Sequence, residues 1–278
     1  MKVYRTRKGI VLEHEGNYYK SAVADWDACV NRPHLFVALL AEIKNAKTEG
    51  ALKQHIETEL LPPIGSQEVW ASGVTYLRSR EARMEESKGA GGGDFYARVY
   101  EAARPELFFK APAYRVVGSG DKVRIRRDSK WNVPEPELTL FICSAGSIEG
   151  YTVGNDMSSR DIEGENPLYL PQAKSYDGST AIGPCLFVPE NPIAPDAMIS
   201  ISIQRNGAVA FENQISIDRM KRRHTELVEY LLREVTFPNG TYLMTGTGIV
   251  PPDNFTLQSG DFIKITIQYI GSLENTVA

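Results

Sequence analysis

Charged residues stand inside segments of this 278-residue chain that otherwise have the composition of buried β-strands. Glu135, Glu137, Asp156 and Lys174 all lie in such segments between residues 131 and 184. Carboxylates are almost never buried without a partner, so three of them brought together need a cation. This requirement constrains the fold more than any other pattern in the sequence.

Glu135 and Glu137 are two residues apart, so on a β-strand both side chains leave the same face. Pro134 and Pro136 flank them and cannot donate hydrogen bonds to a sheet. The prolines therefore predict an edge or bulged strand, with the carboxylates directed into a cleft. Taken alone, the Pro-Glu-Pro-Glu pattern fits a solvated acidic edge at least as well.

Asp156 and Lys174 favour the functional interpretation. Asp156 stands where an apolar strand gives way to polar residues, and Lys174 lies just before the apolar run 185–188. Carboxylate oxygens without Cys or His neighbours favour Mg²⁺ over zinc, with Mn²⁺ or Ca²⁺ as alternatives. A lysine beside such an ion could serve as a base, because the like charge favours the neutral amine.

Several motifs between residues 65 and 278 resemble, in order, those of the fumarylacetoacetate hydrolase superfamily. Glu135/Glu137 match its Glu-x-Glu, residues 154–161 match its Gly-Asn-Asp-x-Ser-x-Arg-Asp, and Lys174 matches its later lysine. Residues 107–110 resemble its substrate-side Phe-x-Lys strand. Three C-terminal segments resemble those that close its catalytic domain: 245–248, 260–261 and 270–275. The resemblance implies a β-rich α+β fold with a mixed β-roll catalytic domain, a metal at Glu135, Glu137 and Asp156, and a homodimer or homotetramer.

Segments 131–138 and 158–174 are most similar to the sugar-acid branch of that superfamily, whose members convert 2-keto-3-deoxy-D-arabinonate to 2,5-dioxopentanoate. The hydrolases carry a His and a Glu that activate water, whereas these positions are Ser79 and Ala82 here. Glu81 or Glu85 could replace the acid, but no His is near in sequence. The resemblance thus implies an Mg²⁺-dependent dehydratase of a 2-keto acid. The alternatives are an acylpyruvate or fumarylacetoacetate-type C–C hydrolase, an oxaloacetate decarboxylase, or a non-enzymatic binding protein, which has no need of a lysine base.

Individual roles follow from the resemblance and from the reaction. Lys174 is the candidate for proton transfer at C3, and Glu106 is the candidate for assisting departure of the C4 hydroxyl. Glu106 follows Pro105 and fits an exposed turn equally well. Lys110 and Arg160 are candidates for orienting the substrate or bracing the carboxylates, and an ordinary ion pair is as good an assignment for Arg160. The other predicted substrate-binding residues are Ser158, Gln172, Thr245 and Thr247.

The sequence predicts two domains: a small N-terminal domain, residues 1–65, and a catalytic domain, residues 66–278. Strands between Val3 and Tyr19 and a helix over 35–47 are predicted before the boundary at Pro62-Pro63. Residues 78–104 predict two helical pieces separated by the glycine-rich segment 89–93, either a lid hinge or a disordered surface loop.

Strands dominate after residue 105. Residues 199–203 and 262–267 alternate between apolar and polar side chains, which is typical of strands with one buried face. Asn206-Gly207 predicts a hairpin turn.

The composition, with 42% hydrophobic residues and a net charge of −4, fits an enzyme with one large core and argues against a nucleic-acid partner. The basic cluster 219–224 is assigned to a solvated helix start. No apolar run approaches membrane-spanning length, and residues 1–5 lack a signal-peptide core. These features predict no membrane partner and a cytoplasmic location.

The cysteines and histidines are given no catalytic or metal-binding role. Three cysteines are odd in number and widely spaced, which is typical of small buried hydrophobic residues: Cys29, Cys143 and Cys185. The four histidines lie outside the charged constellation and are predicted to be structural or solvent-facing: His14, His34, His55 and His224.

Overall fold

The computed structural model describes residues 1–86 and 93–278. The helices in these residues are α1 Trp26–Val30, α2 Leu35–Ile43, α3 Leu52–Glu59, α4 Leu77–Glu86, α5 Gly93–Glu101, α6 Arg160–Glu165, α7 Leu170–Lys174 and α8 His224–Leu232. The strands are β1 Lys2–Thr6, β2 Gly9–His14, β3 Asn17–Lys20, β4 Leu60–Leu61, β5 Glu68–Gly73, β6 Glu106–Pro112, β7 Val116–Val117, β8 Lys122–Val123, β9 Asn132–Val133, β10 Pro136–Ile142, β11 Ile148–Asp156, β12 Ser158–Ser159, β13 Thr180–Phe187, β14 Met198–Arg205, β15 Ala208–Ser216, β16 Thr241–Met244, β17 Phe262–Ile267 and β18 Gly271–Val277.

The N-terminal residues form the predicted strands, an antiparallel meander of β1, β2 and β3. The predicted helix is α2, which ends at Ile43 and buries Leu35, Leu39 and Ile43 on one face. β1 also pairs with β13, with Lys2 opposite Phe187, so the meander continues the main sheet. The division into two domains at residue 65 stays a prediction.

The main sheet of the described residues has 11 strands, nine of them in the order β3-β2-β1-β13-β11-β10-β16-β5-β6. Most neighbours are antiparallel, but β16 and β5 run parallel. A second sheet has the order β15-β14-β17-β18-β8, and β12 pairs with β9. Strands and short helices therefore build a β-rich α+β fold with mixed sheets, as predicted.

The two large sheets share one hydrophobic core. Both strands with the predicted alternation bury isoleucines, at Ile199, Ile201 and Ile203 in β14 and at Ile263, Ile265 and Ile267 in β17. These isoleucines pack with Leu138 and Leu140 of the main sheet. Burying alternate apolar residues from both sheets stabilises their stacking.

A two-residue turn at Asn206-Gly207 joins β14 to β15, and both residues have positive φ, 53° and 79°. The predicted hairpin is therefore confirmed.

The two helical pieces predicted over 78–104 are α4 and α5. The predicted hinge at 89–93, except for Gly93 at the start of α5, lies outside the described residues. None of the described helices has the length and apolar character needed to cross a membrane.

Of the two positions predicted for the Pro-Glu-Pro-Glu strand, edge or bulged, the edge position is wrong, and the register shift in β10 falls at Phe141/Ile142, away from the prolines. β10 lies inside the main sheet between β11 and β16. Pro136 is its first residue, and pairing to β16 begins only at Thr139. A proline at the first position of a strand removes no hydrogen bond from its centre, so an interior strand tolerates it.

Candidate metal centre and active site

Three carboxylates converge where β10 begins and β11 ends. Glu135 immediately precedes β10, Glu137 is its second residue, and Asp156 is the last residue of the antiparallel neighbour β11. One oxygen from each carboxylate lies within 4.8 Å of the others, and all three residues are buried. The predicted convergence is confirmed, and it results from pairing the start of one strand with the end of the next.

The negative charge of Glu137 is offset less by its neighbours than the charges of the other two carboxyl groups. Burial and then the negative charges of Asp156 and Glu135 raise its pKa well above the ordinary value. The backbone N–H of Gly246 donates to Glu137 Oε2 at 2.6 Å. A Cβ at Gly246 would lie 2.1 Å from Thr75 Oγ1, so only glycine allows this approach.

Glu135 is held by cations. Lys174 Nζ lies 2.7 Å from its Oε2, and Arg160 Nη2 lies 2.7 Å from its Oε1. Burial alone would raise the pKa of Glu135, but Lys174, Arg160 and Arg83 together hold that pKa below its usual range. This carboxylate is therefore ionised at neutral pH.

Lys174 lies in the middle of the cluster. It is the last residue of α7, six residues before β13, and its side chain is buried. Its ammonium donates to Glu135, to Asp156 Oδ2 at 3.0 Å and to Ser158 Oγ at 2.5 Å. The geometry brings together the four residues that the sequence singled out.

Lys110 lies behind the carboxylates and is fully buried. Its ammonium contacts Asp156 Oδ1 at 3.0 Å and donates to the Ser179 carbonyl at 2.9 Å, and also to the carbonyl of Lys174. Burial lowers the pKa of Lys110, and Asp156 opposes that shift. Of the two roles predicted for Lys110, this position suits bracing, because it ties Asp156 to the end of α7.

Glu106 is the first residue of β6 and lies opposite Gly73, the last residue of β5. A Cβ at Gly73 would come within 2.1 Å of Glu106 Oε2, so the glycine leaves room for this carboxylate. Burial raises the pKa of Glu106, whereas Arg83 and Lys174 oppose the rise. A raised pKa favours the protonated form that a general acid needs.

The space in front of the carboxylates is small, about 10 Å³. Its walls include Arg160 and Thr247 among the predicted substrate-binding residues. Ser158 reaches the site through Lys174. Thr245 donates to the Leu138 carbonyl at 2.8 Å, and Gln172 is exposed on α7, so neither lies on the cavity wall.

α4 borders the cavity through Ser79 and Arg83, and it carries Ser79 and Ala82, the two positions that the sequence resemblance matched to a His and a Glu. Ser79 Oγ donates to the Tyr76 carbonyl at 2.7 Å, and Ala82 is buried. Glu81 and Glu85 pair with Arg78 on the exposed face of the helix, so neither replaces the missing acid at the cavity.

The sequence analysis missed Arg83 and Glu163. Arg83 follows Ser79 by one helical turn and therefore shares its face, a spacing that could have revealed it. Its guanidinium pairs with Glu163 of α6 and reaches Glu135. Val74 was missed as well: it lines the cavity with a φ of 54°, which is strained for a β-branched residue.

A larger cavity of about 900 Å³ lies elsewhere, lined by α2, α8, the start of β11 with the two residues before it, and the segment 189–192. It is lined by the half-buried carboxylate of Glu149, which accepts from the backbone N–H groups of His34 and Leu35 and from Ser147. His224 also lines it, and burial lowers its pKa to about 4. His224 lies outside the carboxylate cluster, and the structural or solvent-facing role predicted for it stays a prediction.

The donor set of the small cavity fits a hard divalent cation. All three carboxylates offer oxygen, and within the described residues no Cys or His lines this cavity. Oxygen ligands suit Mg²⁺, Mn²⁺ and Ca²⁺. A divalent ion would also offset the repulsion that raises the pKa of Glu137.

The fold and site define a class of β-rich protein in which strand ends present a carboxylate metal centre beside a buried lysine. Residues 69–278 match the family model described as the C-terminal domain of fumarylacetoacetate (FAA) hydrolase. The chain belongs to this family, so the predicted superfamily is confirmed.

Two relatives are dehydratases by name. A probable 2-keto-3-deoxyxylonate dehydratase of Haloferax volcanii is 49% identical over 216 residues, 77% of this chain and 73% of the relative. A 2-dehydro-3-deoxy-D-arabinonate dehydratase of Saccharolobus solfataricus is 43% identical over 221 residues, 78% of this chain and 74% of the relative. The chain is thus similar to the branch that the motifs indicated.

A solved structure of 2-keto-3-deoxy-D-arabinonate dehydratase, complexed with magnesium and 2,5-dioxopentanoate, has the same fold. Its TM-score to this protein is 0.83 with 34% sequence identity, and the match covers 100% of this chain and 98% of that chain.

Proposed function

We propose that this protein is an Mg²⁺-dependent dehydratase that converts 2-keto-3-deoxy-D-arabinonate to 2,5-dioxopentanoate and water. The observation that carries the proposal is the buried cluster of Glu135, Glu137, Asp156 and Lys174, in a chain whose relatives are dehydratases. The two relatives' substrate names describe one compound when both belong to the D series, because the C2 and C3 stereocentres that distinguish xylonate from arabinonate are lost and only C4 remains.

Glu135, Glu137 and Asp156 would hold the ion. When bound, it supplies Lewis acidity for the carboxylate and C2 carbonyl of the keto acid, which makes the C3 protons more acidic. Mn²⁺ or Ca²⁺ could occupy the same oxygen ligands.

Lys174 and Glu106 carry the proton transfers. Lys174 removes a proton from C3, and Glu106 donates a proton to the C4 hydroxyl. The hydroxyl leaves as water, and the electrons of the broken C3–H bond form a C3–C4 double bond. Glu106, now a carboxylate, takes a proton from C5, and Lys174 returns its proton to C3. The C5 enol then becomes the aldehyde, so the net change is the loss of one water.

The other residues position these groups. Arg160 orients Glu135 and borders the cavity, while Lys110 and Ser158 hold Asp156 and Lys174 in place. Thr247 would contact the substrate, and Thr245 and Gln172 would act on it only after movement of the cavity wall. A five-carbon acid needs more room than the cavity of about 10 Å³ provides, so the cavity must widen when the substrate binds. The wall that would move is α4, because this helix is not held in either sheet.

We also propose that the enzyme acts in sugar-acid catabolism in the cytoplasm, as a homodimer or homotetramer. The three free cysteines support a reducing compartment. Light scattering coupled to size-exclusion chromatography measures the assembly, and a monomer at micromolar concentration would contradict this part of the proposal.

The function is tested with a panel of 2-keto-3-deoxy acids, acylpyruvates and oxaloacetate, assayed with Mg²⁺ and after chelation. We expect 2,5-dioxopentanoate from the pentonate only when Mg²⁺ is present. Acylpyruvates should react slowly, because a positioned base for water contributes about 10² to 10⁴ in rate and Ser79 and Ala82 supply none. The variant Ser79→His/Ala82→Glu should gain acylpyruvate hydrolysis. If the unmodified protein prefers acylpyruvates or oxaloacetate, it is a C–C hydrolase or decarboxylase instead.

A further inference from the structure

Glu163 is a buried carboxylate that lies near the metal centre but outside its ligand set. It belongs to α6, its residue exposure is 1%, and its Oε1 pairs with Arg83 Nη1 of α4. Arg83 is also buried, and its Nη2 lies 3.7 Å from Glu135 Oε1. Glu163 therefore reaches the proposed ion through one arginine and one ligand.

The charges around Glu135 explain why such a group is needed. Three cations face this one carboxylate: Lys174 at 2.7 Å, Arg160 at 2.7 Å and Arg83 at 3.7 Å. Positive charges near a metal site weaken cation binding, and burial strengthens that repulsion because the local dielectric constant is low. Glu163 offsets the charge of Arg83, so the arginine can contact Glu135 without adding a net positive charge.

We propose that Glu163 sets the affinity of the site for its divalent cation by neutralising Arg83, without binding the ion itself. The inference rests on the metal assignment in the proposed function and assigns a role to a residue outside the three ligands. A purely structural ion pair between α4 and α6 would affect folding but would have no charge-dependent effect on metal affinity.

The test measures Mg²⁺ binding to the whole, EDTA-treated protein by isothermal titration calorimetry, without substrate. Glu163→Gln should raise the Kd for Mg²⁺ about 10-fold or more, the range seen when groups behind metal ligands are changed. Arg83→Met should shift the Kd in the opposite direction, because it removes a positive charge and keeps Glu163. This opposite shift still tests the proposal if Glu163→Gln does not fold.

Two further variants complete the design. Arg83→Met/Glu163→Met removes both charges together, so the net charge beside Glu135 stays the same and the Kd should return toward the wild-type value. The double variant should also fold, since a buried ion pair can often be replaced by apolar residues without loss of stability. Glu85→Gln is the matched control: it also removes one negative charge, but from the exposed pair that Glu85 forms with Arg78 on α4, and should leave the Kd unchanged.

The inference is overturned if Glu163→Gln lowers the melting temperature but leaves the Kd unchanged, because the pair then acts only in folding. It is also overturned if Arg83→Met and the double variant weaken Mg²⁺ binding as much as Glu163→Gln, because the pair then orients Glu135 instead of balancing charge. A wild-type protein that binds no Mg²⁺ would instead overturn the proposed function, and the inference with it.

Discussion

One of the two cavities is large and the other is small, and the converging buried charges line the small one. The cavity along α2 and α8 is about 900 Å³, and its half-buried carboxylate Glu149 accepts hydrogen bonds from backbone N–H groups at the start of α2. The space at the carboxylates is about 10 Å³, and buried charges form its walls. Ionisable groups are costly to bury, so their convergence marks a functional site more reliably than free volume does.

The largest loss of activity should come from changing Glu137, the carboxylate whose negative charge is offset least. Glu137→Gln removes one of three carboxylates, and kcat/KM should fall by at least about 10³, since a metal ion supplies several kcal/mol of transition-state stabilisation. The metal-free variant should melt no lower than wild type, because the raised pKa of Glu137 already favours its uncharged form and glutamine is uncharged as well. Steady-state kinetics and calorimetry measure both.

The control for Glu137→Gln is Glu190→Gln, at the exposed rim of the large cavity, which should leave kcat/KM unchanged. Full activity of Glu137→Gln, or full wild-type activity after exhaustive chelation, would refute the metal assignment.

The next effect concerns Lys174. Lys174→Met should lower kcat by about 10² to 10⁴, the contribution typical of a positioned base, while KM changes little. The variant also loses contacts to Glu135 and Asp156, so its melting temperature should fall. A rise in KM without a fall in kcat would make Lys174 a substrate-binding cation and leave the base unidentified.

A pH-dependent effect should distinguish the small cavity from the large one. The pKa of Glu137 is raised from 4.5, so the folded metal-free protein keeps a proton that the unfolded chain releases, and stability falls as pH rises through the raised pKa. Mg²⁺ binds the ionised carboxylate, so its stabilising effect should grow with pH. Melting temperatures with Mg²⁺ and with EDTA, at pH 5.5 and 8.5, measure this.

The Glu137→Gln variant is the control for that experiment and should show no such growth. An Mg²⁺-induced shift of equal size at both pH values in the wild type would mean that Glu137 is already ionised without metal.

The smallest effect belongs to the large cavity. The pKa of His224 is lowered to about 4 by burial, below its ordinary 6.5. The neutral form is therefore favoured in the fold, and its stabilising contribution is present above pH 6.5 and lost as pH falls toward 4. His224→Gln should flatten this acid loss, at most roughly 3 kcal/mol, and leave kcat at pH 7.5 unchanged. An unchanged acid limb would show that other groups cause the loss.

Local rules determined much of what the sequence predicted correctly. The two-residue spacing of Glu135 and Glu137 puts both on one face, because the side-chain period of a strand is two. The same rule identified the buried faces of β14 and β17, and the two-residue hairpin turn requires the positive φ that Asn206 and Gly207 adopt. Oxygen-only ligands indicated a hard cation, and the ordered motifs identified the family.

Only the tertiary structure decided the contacts between distant segments. It placed β10 inside the sheet, Lys110 behind Asp156, Glu106 against Gly73, and Arg83 between Glu163 and Glu135. Each of these depends on which elements pack together, and neither residue type nor local spacing specifies that. The sequence by itself thus identified the charged groups that the structure brings together, whereas long-range packing determined the distances and burial that set their charges.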